Sequence, residues 1–227
     1  MRDKIKNHVY ESEVGMVKWV TNSGQKVLYS TSQVWKDVRV MHQLVPWHHV
    51  IWFPQANPKH AFITWLIKLE RLTTKDKLVK WYPNQTFKCE LCGKCEDSIK
   101  HLFFECDFSR SVWFKMKRKL LFRGLPGDIQ EIINILARYP FRSQIWDVIN
   151  RITLAATAYQ LWQERNCRVF KGKRRNEREV LKLIEVGIMM KLAALRVKNT
   201  PSVKKAAAIW SMHIEKDRLL LGNSSSI

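Results

Sequence analysis

Cys89, Cys92, His101 and Cys106, in the run CELCGKCEDSIKHLFFEC, constrain this chain more than any other feature. Their spacing is C-x2-C-x8-H-x4-C. The first two thiols fit on one tight turn and can offer both sulfurs to a single ion. His101 and Cys106 are five positions apart, a little over one helical turn, so both can face the same way from a short helix. Three thiolates and one imidazole form the donor set that suits tetrahedral Zn2+. Protein fills all four positions and leaves none for water or substrate, so the spacing predicts a structural zinc and not a catalytic one.

Cys95 is a further cysteine just beyond the first pair. It can replace Cys92 as a ligand or stand beside the set as a spare, and Cys92 is the preferred ligand. The alternatives for these cysteines are packed thiols or disulfides. The N-terminal MRDKIKNHVYESEVG has no apolar core of a secretory signal, so an oxidising compartment is not expected and the chain reads as intracellular, in nucleus or cytoplasm. Cys167, inside a helical pattern, reads as a packed thiol.

With 227 residues, 46% of them apolar, the chain can bury one good core, or a zinc module beside a helical unit. Forty Lys and Arg against twenty Asp and Glu give a net charge of +20, which an anionic partner would relieve. Nucleic acid is the first candidate. An anionic membrane surface comes second, but no apolar run is long enough to span a bilayer, and no membrane partner is expected. The densest basic clusters are Lys115, Lys117, Arg118 and Lys119, and then Lys171, Lys173, Arg174 and Arg175. Each is a candidate phosphate footprint or nuclear import signal, and each also fits a solvated helix face or loop.

The fold class predicted is mainly α with a small N-terminal β-hairpin, a zinc-stapled helical domain followed by a helical C-terminal region. VKWV and KVLYS around TNSGQ predict the hairpin. Val34, Val38 and Met41 predict a helix capped by Thr31 or Ser32. Prolines 46, 54 and 58 exclude a continuous element between them. Asn57-Pro58 starts a helix running to about Arg71, with Ala61, Phe62, Trp65, Leu66 and Leu69 on its apolar face. Thr73 and Asp76 resemble a capping box for a helix through Trp81. Ser98 caps a short helix that holds His101, backed by Leu102, Phe103 and Phe104. Val112, Trp113, Met116 and Leu120 mark a helix ending at Gly124. Beyond the GLPG boundary, helices are predicted from Asp128, from about Ile145 to Phe170, from Val180, and from Thr200 toward Leu221, with a disordered SSS tail.

Catalytic constellations are missing from the pattern. There is no G-x-S-x-G elbow, P-loop, H-E-x-x-H or acidic pair for Mg2+, and His101 lacks the H-x-E of zinc deaminases. No enzyme activity and no small-molecule substrate are expected. His42, His48, His49 and His60 read as surface or partly packed residues, with a second metal site from His48, His49 and His60 as the alternative.

From about Val14 to Trp113 the chain resembles the zinc-binding domain that follows the reverse transcriptase in plant LINE-type (non-LTR) retrotransposons. The matching pieces are Trp19 with YSTSQVW, then IWFPQANPKHAFITWLIKLERLTTKDKL, then CELC through HLFFEC and FSRSVW. The later AYQLWQERNCRVFKGK is similar to the segment that follows in such elements. Cys95 is outside the family pattern. The resemblance implies the ligands Cys89, Cys92, His101 and Cys106, a zinc-binding domain over residues 1–123, and a basic helical region over 124–227. It implies a module that binds nucleic acid, RNA before DNA, beside a reverse transcriptase. The alternatives are a zinc-stapled protein-interaction domain or a decayed element fragment without nucleic-acid binding.

Overall fold

The computed structural model describes residues 12–13, 16–40, 42–80, 82, 85, 87–121, 124–142 and 144–221. Contacts divide the chain into two units, residues 1–44 and 45–227. In the first, β1 (Ser12–Glu13), β2 (Met16–Val20) and β3 (Lys26–Leu28) form an antiparallel sheet. The expected hairpin is there, with Trp19 opposite Val27. Gly24, at φ +80°, supplies the left-handed residue of its turn. The helix α1 (Thr31–Val38) is capped by Ser30, whose side chain accepts from Gln33 N, one position before the predicted caps. It stops at Val38 because Arg39 is extended; Met41, predicted on its face, is outside the described residues. Trp19 Nε1 donates to Asp37 Oδ2 at 2.7 Å and ties α1 to the sheet.

The second unit begins with α2 (His48–Ile51), a single turn inside the proline-rich segment, and α3 (Pro58–Lys68). Asn57 caps α3 with Pro58 in its first turn, as predicted. Its buried residues are Ala61, Thr64 and Ile67, whereas Phe62 is exposed. The predicted apolar face is thus rotated by part of a turn. The helix also ends short of Arg71, because Glu70 adopts φ +54°.

After a 3-10 turn at Lys75–Lys80 and the cysteine-rich segment come α4 (Asp107–Lys117), α5 (Ile129–Ala137), α6 (Ile145–Lys171), α7 (Glu177–Ala193) and α8 (Pro201–Ile209). Side chains of Asp128, Asn176 and Thr200 cap α5, α7 and α8. The 27-residue α6 is the axis of this unit and packs against α3, α4, α7 and α8. Ile152 through Ala158 are all buried, and alanines at 155, 156 and 158 let neighbouring backbones approach closely. A helix buried on several sides needs no single apolar stripe, which is why its pattern reads weakly as amphipathic. One hydrophobic cluster runs through Leu120, Leu125 and Ile129, and residues 124–127 lie inside the unit.

The C-terminus departs from the predicted helix. α8 stops at Ile209, Ser211 turns at φ +53°, and β4 (Met212–Glu215) pairs antiparallel with β5 (Arg218–Leu221). Lys216 and Asp217 both take positive φ, as a two-residue hairpin turn that matches strand twist requires. Met212 and Leu219 are buried, one from each strand. The SSS tail is outside the described residues.

Candidate metal centre

Local chain chemistry builds the first half of the centre. Lys88 and Glu96 form an antiparallel bridge, and between them the chain makes a tight knuckle. Gly93 N donates to Cys89 O, and Cys89 N donates to Cys95 O, each at 2.7 Å. Gly93 sits at φ +70°, which a side chain at this turn would strain. Lys94 N donates to Cys92 Sγ at 3.5 Å.

The second half depends on a widened turn. Ser98 Oγ accepts from His101 N, as predicted, but no regular helix follows. Cys106 N donates to His101 O at 2.7 Å, five residues back. Phe104 reaches φ +86° inside this turn. Such widened turns recur at functional sites, and here the wider ring lets two ligands five apart face one point. Phe104 N donates to Ser109 Oγ at 3.0 Å, and the Phe104 ring stacks on Trp113 with centroids 4.6 Å apart. Leu102, Phe103 and Phe104, between the two later ligands, are buried.

The four ligand atoms lie within 4.8 Å of one another. Cys89 Sγ is 3.9 Å from Cys106 Sγ, and Cys92 Sγ is 3.3 Å from His101 Nε2. A tetrahedron with sulfur about 2.3 Å from its centre has edges of about 3.8 Å, and an edge to nitrogen is shorter. The residues therefore fit zinc. Cys89 and Cys106 are buried, Cys92 and His101 half-buried, and Cys95 exposed. Cys95 contributes its carbonyl to the knuckle while its thiol is outside the donor set. The thiol of Cys89 donates to Cys106 and is also buried, so its pKa is pushed far up, while the same bond lowers that of Cys106. A dication that binds both sulfurs displaces the thiol proton of Cys89.

Buried charges from α6 hold the knuckle in place, and the sequence reading missed them. Asp97 is fully buried, and its Oδ2 accepts from Arg165 Nη2 at 2.5 Å and from Lys75 N at 3.0 Å. Asp97 O also accepts from Asp76 N. Asp97 therefore caps the 3-10 turn at 75–80, displacing the predicted Thr73–Asp76 capping box; Trp81, its predicted end, is outside the described residues. One helical turn beyond Arg165, Arg168 Nη1 donates to Glu90 O and Leu91 O at 3.1 and 3.0 Å, between the first two ligands. Glu164, 1% exposed, accepts from Arg168 Nε and from Arg175 N and Nη1. The only signal in sequence is the Glu164–Arg168 spacing of i, i+4.

The two basic clusters are divided by these contacts. Lys115 pairs with Glu177, and Lys119 pairs with Glu185 and lies 5.2 Å over the Trp210 ring. Lys117 donates to Leu125 O, and Arg175 serves Glu164. Arg118, Lys171, Lys173 and Arg174 are exposed, with no acidic partner among the described residues. Of the histidines, His49 Nε2 lies 3.1 Å from Tyr139 O and the His60 ring packs on Tyr159 at 4.4 Å. Among the described residues they gather with no other ligands into a metal-binding group. Nor is any described helix long and apolar enough to cross a membrane.

No curated protein and no solved structure matches the chain. Residues 29–113, which include all four ligands, match the family model for zinc-binding in reverse transcriptase.

Proposed function

We propose that this chain is a non-enzymatic module of LINE-type retroelement origin, whose structural zinc holds a basic helical surface against RNA beside a reverse transcriptase. The observation that carries the reading is the closed donor set: protein atoms are placed for every tetrahedral position, two of the four ligands being buried. A metal held so supplies folding free energy and no open coordination site. The family match over residues 29–113 supports the association with reverse transcription. A net charge of +20 supports a polyanionic partner. RNA is preferred to DNA because a reverse transcriptase works on an RNA template.

Metal analysis and fluorescence anisotropy with a single-stranded RNA, from about 50 to about 200 mM salt, test the proposal. The expected result is one zinc per chain and an affinity that falls linearly on logarithmic axes. Absence of binding to RNA and DNA at low salt would sink it. One observation favours a second reading: Leu183, Val186 and Met190 form an exposed apolar stripe on α7. In that reading the stripe docks the polymerase portion of the element. Loss of polymerase binding in Val186→Asp, with RNA affinity absent in the parent protein, would decide for it.

A further inference from the structure

We infer that the groove between α4 and α7 is the track for the phosphate backbone of single-stranded RNA. The inference rests on the nucleic-acid reading above and assigns it a place. Ser111 and Lys115 of α4 both reach Glu177 at the start of α7, and Lys119, just past α4, reaches Glu185 two turns further on. The two helices thus run side by side in the same direction. Between them opens a groove of about 660 Å3 lined by Lys115, Arg118, Lys119, Arg178 and Lys182, with Glu185 as its acid. A second hollow that shares Lys115 and Arg178 with the groove is lined also by Asn176 and Glu177. The 115–119 cluster therefore meets Arg178 and Lys182, which no dense cluster marks in the sequence, on one surface.

Charge pairing sorts these cations. Glu177 is partly buried, which works against its carboxylate, yet Ser111 and Lys115 outweigh that and hold its pKa below the ordinary value. Glu177 and Glu185 are thereby committed to Lys115 and Lys119 and fix the two helices together. Arg118, Arg178 and Lys182 are exposed and have no acidic partner among the described residues. Arg178 and Lys182 are one turn apart on α7, about 6 Å along its axis, a spacing that successive phosphates of an extended strand can follow. Phe114, 57% exposed, sits one turn before Arg118 on α4. Exposed aromatic surface beside a basic groove takes an unstacked base and so favours a single strand over a duplex.

Arg118→Gln/Arg178→Gln/Lys182→Gln tests the track, with Lys198→Gln/Lys204→Gln/Lys205→Gln removing the same charge elsewhere on the exposed surface. Each phosphate contact contributes about 0.7 to the slope of log affinity against log salt, so the groove variant should lose about 2 from that slope and the control none. Phe114→Ala should weaken binding to single-stranded RNA about 5- to 150-fold and leave the slope as it is. All three are read with zinc content and circular dichroism confirming the fold. If the parent protein binds RNA but both triple variants change the slope equally, or only the control does, the groove is overturned and the nucleic-acid reading stands. Failure of the parent to bind overturns both. A duplex bound as tightly as the single strand, with no effect of Phe114→Ala, overturns the single-strand assignment.

Discussion

Replacing Arg165 by Met probes what seats the metal knuckle on the helical unit. Arg165 is 4% exposed in its side chain, and its partner Asp97 is 0% exposed, so neither charge can turn to water if the other is removed. In Arg165→Met the Asp97 carboxylate keeps only Lys75 N as a recorded partner, and its Oδ1 has none. Leaving one half of a buried pair uncompensated costs about 3–5 kcal/mol. For a chain of this size that lowers the melting temperature by about 6–20 °C. Asp97→Leu should cost a similar amount, since it strands the guanidinium and also removes the cap of the 3-10 turn.

The double variant discriminates between pairing and mere packing. With both charges gone the desolvation penalty disappears, and the remaining loss is chiefly the cap, about 1 kcal/mol. Each single effect should therefore exceed the double effect by at least about 2 kcal/mol. Urea denaturation of zinc-loaded protein, with unchanged m-values, measures all four corners of the cycle. Additive single effects, or a loss below about 1 kcal/mol in Arg165→Met, would refute the reasoning. Zinc affinity, read by competition with a chromogenic chelator, should fall in both single variants, because the knuckle that carries two ligands then keeps only the Arg168 contacts to α6.

Cys95→Ser should retain one zinc per chain, whereas Cys89→Ser or Cys106→Ser should lose it, and chelation of the parent protein should mimic those two in thermal denaturation; equal zinc loss in Cys95→Ser would put Cys95 in the donor set. His60, whose pKa burial and then the nearby Lys191 lower to about 4, is neutral in the native state where an unfolded histidine already binds a proton. Stability should therefore fall as pH drops from about 6.5 to about 4, by roughly 1–2 kcal/mol once partial solvent screening is allowed for. His60→Phe should lose that part of the acid sensitivity, and an unchanged pH profile would count against it.

What could be read from the sequence was local chemistry. The ligand residues carry their own donor atoms, and Asn57, Asp128 and Thr200 bond to backbone within three residues, so each announces itself without the fold. The final hairpin hid because MHIE and RLLL suit a strand as well as a helix face, and its turn uses Lys216 and Asp217 where glycine or asparagine would have signalled positive φ. The seat of the metal centre hid for a different reason: Asp97 and Arg165 are 68 residues apart, and each alone looks like an ordinary surface charge. Their burial follows from α6 passing directly beneath the knuckle. The same passage puts Arg168 on the carbonyls of Glu90 and Leu91, so metal and buried charges hold one loop from opposite sides. Chelation should then loosen the knuckle and α4, which starts at Asp107 directly after Cys106, while α6 and α7 keep their own core. Hydrogen exchange on apo and zinc-loaded protein separates these outcomes, and uniform loss of protection across α6 on chelation would mean that the metal holds the entire unit and not its edge.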